Sequence, residues 1–126
     1  MVDPMVQNLL EQAIDSPVKL HLLLLFHENP GLEATPRVIA ERVCRDIWSV
    51  TQALQELAED RVLLSIPIPG DQLYRYAPAE DLLEAIGRLL RGYDDPLERD
   101  KLQRSIRDLA RYAPYRRMIP WQTQMA

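Results

Sequence analysis

The stretch between residues 35 and 77 constrains the fold most, because two short helix patterns and two strand patterns follow one another there with almost no loop. A proline at the first helical position predicts one helix over Pro36–Val43. After a two-residue turn, an aspartate cap and apolar residues at helical spacing predict the next helix within 46–60 (DIWSVTQALQELAED). Strand patterns at Val62–Ile66 and Leu73–Ala77 enclose a segment rich in proline and glycine, which predicts a β-hairpin. The order is therefore helix, turn, helix, hairpin.

Helical patterns also flank this stretch on both sides. A short amphipathic helix or arm is expected over Met5–Ile14, and a helix over Pro17–Glu28 is apolar on nearly every side, so we expect it at the centre of the molecule. Two further helices are predicted over Ala79–Gly92 and Pro96–Ala113, and residues 114–126, which lack a sustained period, are expected to form an irregular tail. The turns are short throughout, so the 126 residues are expected to form a single domain.

Composition limits the classes of protein that fit. Apolar residues make up 47% of the chain, and the 19 acidic residues outnumber the 15 basic ones, so nucleic-acid binding needs a local basic patch. Cys44 is the single cysteine, which excludes a disulfide framework and favours the reduced cytoplasm. We expect a buried, small apolar residue there and not a redox-sensing thiol. The first residues lack a basic signal-peptide region and the apolar run Leu20–Phe26 is too short to cross a bilayer, so neither secretion nor a membrane partner is expected.

These elements resemble the winged helix-turn-helix superfamily used by many small bacterial and archaeal transcriptional regulators. The matching segments are the scaffold helix TPRVIAERV, the capped helix DIWSVTQALQELAED, the strand RVLLSI and the return strand LYRYA, which ends at Pro78. The resemblance implies a mainly α fold with a winged-helix core over 17–78, a two-stranded wing, and additional N- and C-terminal helices. It also implies a cytoplasmic transcriptional regulator that binds duplex DNA through the third helix and the wing, as a homodimer joined by the flanking helices.

In this superfamily the exposed face of the third helix meets base edges and the wing lies along the DNA backbone. The resemblance therefore implies a DNA-binding site made of helix residues and of arginines in or beside the motif: Arg37, Arg42, Arg45, Trp48, Ser49, Gln52, Gln55 and Arg75. The third helix itself carries no Lys or Arg, and Glu56, Glu59 and Asp60 on its open side are expected to repel phosphates.

The base-free third helix leaves a second function open, in which the winged helix binds a protein partner and not DNA. Trp48 is then an anchor for that partner, or it folds back and packs on the first helix or under the N-terminal arm. The arginines likewise either clamp phosphates or form surface ion pairs with Glu41, Asp46 or Asp60, which on average stabilise little. The residues alone do not decide between DNA binding and binding of a protein partner.

The C-terminal third is the basic part of the chain, with seven basic and five acidic residues between 94 and 126. Helical spacing places several arginines on one face, and this second basic face consists of Arg104, Arg107, Arg111, Arg116 and Arg117. It is either a surface for nucleic acid or an acidic partner, or a solvated helix face balanced by Asp100 and Asp108. Apolar residues in the predicted tail are expected to cover a partner subunit: Met118, Ile119, Trp121 and Met125.

Residue patterns for catalysis or cofactor binding are absent from the sequence. His21 and His27 lie six residues apart, which is not the spacing that puts two ligands on one helical face, so no metal site is expected. None of the four glycines forms a phosphate-binding loop, and no nucleophile has a recognisable base. We therefore expect no cofactor, no catalytic residues and no enzymatic activity.

Overall fold

The computed structural model describes the backbone of residues 2–125 and the side chains of residues 2–112. Within that part, the chain forms six α-helices and three β-strands, with a short 3₁₀ turn at Glu80–Leu82. In chain order the elements are α1 (Pro4–Gln12), α2 (Pro17–Glu28), β1 (Glu33–Ala34), α3 (Pro36–Val43), α4 (Ile47–Glu59), β2 (Leu63–Ile68), β3 (Asp71–Tyr76), α5 (Leu83–Asp94) and α6 (Pro96–Met125). The predicted order of helix, turn, helix and hairpin is confirmed.

Short polar side chains begin four of these helices, among them α6, where Asp95 Oδ1 accepts a hydrogen bond from the Leu97 amide at 3.0 Å. Asp3 Oδ1 accepts a hydrogen bond from the Met5 amide (2.8 Å), and Ser16 Oγ accepts one from the Lys19 amide (3.4 Å). Asp46 caps α4 in the same way, as predicted. Each cap satisfies a backbone donor that has no partner within its own helix. The starts of α2 and α4 agree with the sequence prediction, whereas α1 begins at Pro4 and ends at Gln12 and not at the predicted Met5 and Ile14.

The three strands form one antiparallel sheet in the order β1-β3-β2. Strands β2 and β3 are the wing, and they pair from Leu63 opposite Tyr76 to Ile68 opposite Asp71. Only Pro69 and Gly70 lie between them, and the positive φ of Gly70 (75°) gives the backbone the turn that a proline followed by glycine favours. The wing is therefore confirmed as two-stranded, with strands longer than predicted.

Two features of the sheet differ from the sequence prediction. The sequence pattern places Pro67 in the turn, but it lies within β2, which is an edge strand where a missing N–H costs no ladder hydrogen bond. The strand β1 was not predicted. Its two residues, Glu33 and Ala34, pair with Arg75 and Tyr74 of β3, and two residues are too few to show an alternating pattern.

Helix α2 lies at the centre of the core, as its apolar sequence predicted. Leu22, Leu23 and Phe26 on this helix are fully buried. They pack within one cluster to which every major helix contributes; its fully buried members from other elements include Leu10, Ile14, Ile39, Val50, Leu54, Leu57, Val62, Leu89 and Ile106. This single core joins the flanking helices to the winged helix, so the structure holds α1, α5 and α6 against the helix-turn-helix unit.

Several large apolar side chains of these helices are exposed, although helical spacing places them on the same faces as the buried residues. They are Val38 on α3, Ile47 at the start of α4, Leu83 at the start of α5 and Leu97 at the start of α6, where Leu97 reaches 76% exposure. All four stand in the first turn of a helix, beyond the layer that the neighbouring helices cover. Helical spacing tells which residues share a face, but not how far along a helix the core extends.

Helix α6 continues past its predicted end at Ala113 and reaches Met125. The predicted end rests on the lack of a sustained apolar period after position 113. A proline removes its own N–H from the helical ladder and its ring clashes with the carbonyl four residues earlier, which weakens or kinks a helix without by itself fixing where it ends. Arg116 and Arg117, and the predicted tail contacts of Met118, Ile119, Trp121 and Met125, lie outside the residues whose side chains are described.

Candidate nucleic-acid interface

The outward face of α4 carries the residues expected to meet DNA bases. Trp48, Ser49, Gln52 and Gln55 are all exposed, and Trp48 is 82% exposed. The predicted alternative, in which Trp48 packs on the first helix or under the N-terminal arm, is therefore wrong. Val50 and Leu54 hold the opposite face of α4 against the core, which turns the indole toward solvent.

The N-terminus of α4 is closed by an ionised carboxylate. Asp46 Oδ2 accepts a hydrogen bond from the Ser49 amide at 2.8 Å. This bond is the main cause that holds the pKa of Asp46 below its usual range, and a further bond from the Ser49 side chain lowers it as well. The Ser49 amide is thereby part of the cap, and the Ser49 side chain stays exposed on the outward face of α4.

A buried charge network joins α2 to α4. Lys19 Nζ lies 2.7 Å from Asp15 Oδ1 and 2.6 Å from Glu56 Oε1, and the three side chains are 4%, 4% and 16% exposed. The sequence placed Glu56 on the open side of α4, where it was expected to repel phosphates. That expectation is wrong, because the buried ammonium of Lys19 needs anionic partners and draws the carboxylate inward.

Glu56 also positions a residue of the outward face. Its second oxygen, Oε2, accepts a hydrogen bond from Gln52 Nε2 at 3.1 Å. This leaves the Gln52 carbonyl oxygen and one amide hydrogen exposed, while Gln55 forms no side-chain hydrogen bond within the described residues. An amide with a free donor and a free acceptor can bind adenine through two hydrogen bonds. Gln52 and Gln55 therefore keep that capacity, and Gln52 is the more rigidly held of the two.

The arginines of the motif fall into two groups. Arg37 and Arg42 lie exposed on α3, and no carboxylate within the described residues pairs with them. Arg75 on β3 lies 3.7 Å from Glu33 of β1 in an open ion pair, and Arg61 forms a bidentate pair with Asp81 (3.0 and 2.9 Å).

Arg75 thus forms an ion pair, one of the two alternatives left open by the sequence, but neither it nor Arg61 pairs with Glu41, Asp46 or Asp60. Both partners are distant in sequence, Glu33 through the unpredicted strand β1 and Asp81 through the 3₁₀ turn before α5. The exposed geometry of the Arg75 pair makes it weak enough for a phosphate to displace.

The turn between α3 and α4 is built on a left-handed residue. Cys44 has φ 56° and its thiol is exposed, with Sγ 3.7 Å from the Glu41 carbonyl oxygen. The prediction that Cys44 is buried is wrong. A residue in the left-handed conformation just after a helix reverses the chain, and its side chain then points away from the packed face.

Arg45, the next residue, reaches across to α2. Its Nε donates a hydrogen bond to His21 Nδ1 at 3.3 Å. Partial burial and then the charge of Arg45 lower the pKa of His21, so the ring is neutral near pH 7. His27, six residues on, contacts Tyr76 edge to face with the ring centroids 6.2 Å apart. The two histidines therefore occupy separate places at the edge of the core.

The second basic face on α6 is divided by its contacts. Arg104 pairs with Asp100 at 2.9 Å, one of the two carboxylates expected to balance this face. Arg107 lines a cleft that Arg45 also lines, and Arg111 is exposed. The structure thus brings together Arg45 and Arg107, which the sequence assigned to two different surfaces.

Within the described residues, no group of three or more histidine, cysteine, aspartate or glutamate side chains is arranged to hold a metal ion. A helix apolar and long enough to cross a membrane is likewise missing from that part of the chain.

Comparison with known proteins identifies the fold. No protein-family model matches the chain, and no curated protein matches it. Among solved structures, it is similar to a homodimeric winged helix-turn-helix DNA-binding domain from Mycobacterium bovis, described as a possible ArsR-family transcriptional regulator. Identity is 20%, the TM-score is 0.54, and the match covers 77% of this chain and 91% of that domain.

A possible transcriptional regulator from Methanosarcina mazei Go1 is also similar, at 14% identity and a TM-score of 0.52, over 78% of this chain and 87% of the other. At such identities the likeness is one of fold. The chain has a winged helix-turn-helix fold with additional helices, as its sequence predicted.

Proposed function

We propose that this winged-helix protein is a cytoplasmic, DNA-binding transcriptional regulator that acts as a homodimer. The observation that carries the proposal is the outward face of α4, where Gln52 and Gln55 each keep an exposed amide donor and acceptor and Glu56 is withdrawn to Lys19. The descriptions of the two similar structures, a DNA-binding domain and a possible transcriptional regulator, support the same class of function.

In this proposal α4 enters the major groove and the wing follows the adjacent backbone. The net charge of −4 gives the whole molecule no attraction for DNA, so local arginines must supply the phosphate contacts. Arg37 and Arg42 are exposed on α3 without an ion-pair partner in the described residues, and Arg75 on the wing has only the open pair with Glu33. Arg45 lies in the turn just before α4. These four arginines are the proposed phosphate contacts.

The dimer is proposed to form through the helices that flank the winged helix. Met5 on α1, Leu83 on α5 and Leu97 on α6 are large apolar side chains left exposed in the single chain. A second copy would remove them from water and would place two α4 helices against successive half-sites. The similar domain from Mycobacterium bovis is described as homodimeric, which supports this assembly.

One observation favours a second candidate function, a winged-helix module that binds a protein. Helix α4 has no basic residue, and Trp48 stands 82% exposed at its start. Exposed tryptophans are frequent anchors at protein interfaces. Trp48 is therefore the residue to replace when this alternative is tested.

The test is fluorescence anisotropy with a labelled duplex that spans two half-sites, about 34 Å apart. Affinity is measured between about 50 and 200 mM salt for the wild type, for Arg37→Ala with Arg42→Ala, and for Arg91→Ala as a matched control. Arg91 is an exposed arginine on α5, away from the motif. We expect the double variant to weaken binding and to lower the salt slope by about 0.9 for each phosphate that the protein no longer neutralises, with the control unchanged.

Failure of the wild type to bind duplex DNA at low salt would refute the proposal. Equal losses in the double variant and in Arg91→Ala would refute the assigned site. If DNA does not bind and Trp48→Ala abolishes association with a partner protein, the second function takes its place.

A further inference from the structure

A cleft of about 500 Å³ opens between the start of α2, the end of α5, α6 and the turn before α4. Its lining includes Leu20, His21, Leu24, Arg45, Ile106 and Arg107, and it is called the Arg45–Arg107 cleft. Pockets for small molecules typically measure about 300–1,000 Å³. The cleft is therefore large enough for a small organic ligand.

The lining of the Arg45–Arg107 cleft combines an apolar floor with a cationic rim. Leu20, Leu24 and Ile106 belong to or pack against the hydrophobic core and give the floor. Two guanidinium groups, on Arg45 and Arg107, lie at the rim, and no aspartate or glutamate is among the described residues that line the cleft. Such a lining favours a ligand with an apolar body and a negatively charged end.

Two contacts involve residues that line the cleft. His21 Nδ1 accepts a hydrogen bond from Arg45 Nε, so in the neutral ring the hydrogen lies on Nε2, which is a donor. On the other wall, the Arg99 guanidinium stacks over the Tyr93 ring at 5.0 Å, and Arg99 Nε donates to the Tyr93 carbonyl oxygen at 2.6 Å. The cleft thus offers several hydrogen-bond donors.

We propose that the Arg45–Arg107 cleft binds an amphiphilic carboxylate, whose aromatic or alkyl body packs on Leu20, Leu24 and Ile106. Its carboxylate accepts hydrogen bonds from Arg45 and Arg107, and planar guanidinium groups suit that geometry. The carboxylate also supplies the negative charge that the cleft itself lacks.

Occupation of the cleft has a regulatory consequence that rests on the proposed function. Arg45 is shared between the cleft and the proposed phosphate contacts, and it immediately precedes the cap of α4. A carboxylate that engages Arg45 competes with a DNA phosphate for the same guanidinium. Binding of the carboxylate is therefore expected to weaken DNA binding, and DNA to weaken carboxylate binding by the same factor.

The test is isothermal titration calorimetry of the full chain, without DNA, with 2-naphthoate and decanoate as probes. The neutral 2-naphthamide has the same aromatic body without the charge, and acetate has the charge without the body. We expect saturable binding of both probes, at least tenfold weaker binding of the amide, and none of acetate. A hydrogen bond to a charged group contributes about 1.5–3 kcal/mol, which corresponds to a loss of at least tenfold.

Variants locate the site. Arg107→Gln is expected to weaken naphthoate binding about tenfold or more, while Arg111→Gln, an exposed arginine one turn further along α6, leaves it unchanged. Circular dichroism of both variants checks the fold. Equal binding of the amide and the acid, equal losses in the two variants, or no saturable binding of either probe at millimolar concentration would each overturn the proposal.

The absence of DNA from this titration separates the two proposals. If the carboxylate binds and duplex DNA does not, the cleft assignment stands and the proposed function is refuted. If duplex DNA binds and the carboxylate does not, only the cleft assignment is refuted. Where both ligands bind, anisotropy with and without saturating naphthoate measures the coupling, and an unchanged DNA affinity would refute the competition for Arg45.

Discussion

Replacing Lys19 with methionine removes the ammonium that joins α2 to α4. The change keeps most of the length of the side chain, so most of the packing around the aliphatic stem survives. It leaves the carboxylates of Asp15 and Glu56, which lie 2.7 and 2.6 Å from Nζ, without their shared cation. Because these side chains are only 4% and 16% exposed, water restores little of the lost interaction.

Breaking a buried ion pair on one side typically costs about 3–5 kcal/mol, because an uncompensated charge stays buried. We expect Lys19→Met to lower the free energy of unfolding by about that amount, a large part of the roughly 5–15 kcal/mol that stabilises an ordinary domain. Urea denaturation followed by circular dichroism measures it, with an unchanged m-value as the sign that the unfolded state is the same.

Two further variants make the comparison sharp. Arg104→Ala removes an ion pair of similar distance, 2.9 Å, in which the arginine is 71% exposed, and it should cost no more than about 1 kcal/mol. Adding Asp15→Asn and Glu56→Gln to Lys19→Met removes the stranded charges and should recover part of the loss. The reasoning fails if Lys19→Met costs no more than Arg104→Ala, or if the triple variant recovers nothing.

Two other predictions concern single contacts. The folded-state pKa of Asp46 is lowered by its bonds to Ser49, so its contribution to stability is present above the ordinary value of 3.8 and is lost as pH falls through the folded pKa. Asp46→Asn keeps an acceptor at the cap and should flatten the acid limb of a stability profile; an unchanged limb would contradict this. Gly70→Ala puts a side chain at φ 75° in the wing and should destabilise by about 1 kcal/mol in urea denaturation, whereas Gly31→Ala, with open space around it and no positive φ, should not.

Local chemistry made much of the fold readable from the sequence. Several signals act over only a few residues, so they indicate the same local structure in any fold. They are the cap at Ser16 followed by a proline, the aspartate before α4 and the unbroken apolar run of α2. The Pro69-Gly70 turn belongs to the same class. These signals set the order of elements, and that order already indicated the winged helix.

Long-range pairings between side chains were not readable. Lys19 and Glu56 are 37 residues apart in the sequence, and a lysine in an apolar helix gives no sign that it is buried. The spacing of Asp15 and Lys19, four residues apart, was the one local signal for this network, and it is just as common on solvated helices.

The cleft and the turn before α4 differ in how far the sequence could predict them. Arg45 and Arg107 come together only because α6 packs beside α2, and no pattern within either segment contains that information. The exposure of Cys44, by contrast, was open to prediction, since the residue just after a helix is often left-handed and solvent-facing.

The thiol of Cys44 also makes the molecule well suited to spectroscopy. It is the single cysteine in the sequence, it is exposed, and it lies in the turn that leads into α4. A nitroxide or fluorophore attached there marks one defined place per chain without any mutation. In a pair of chains, the distance between two such labels follows the separation of the two α4 helices directly, with and without ligand or DNA.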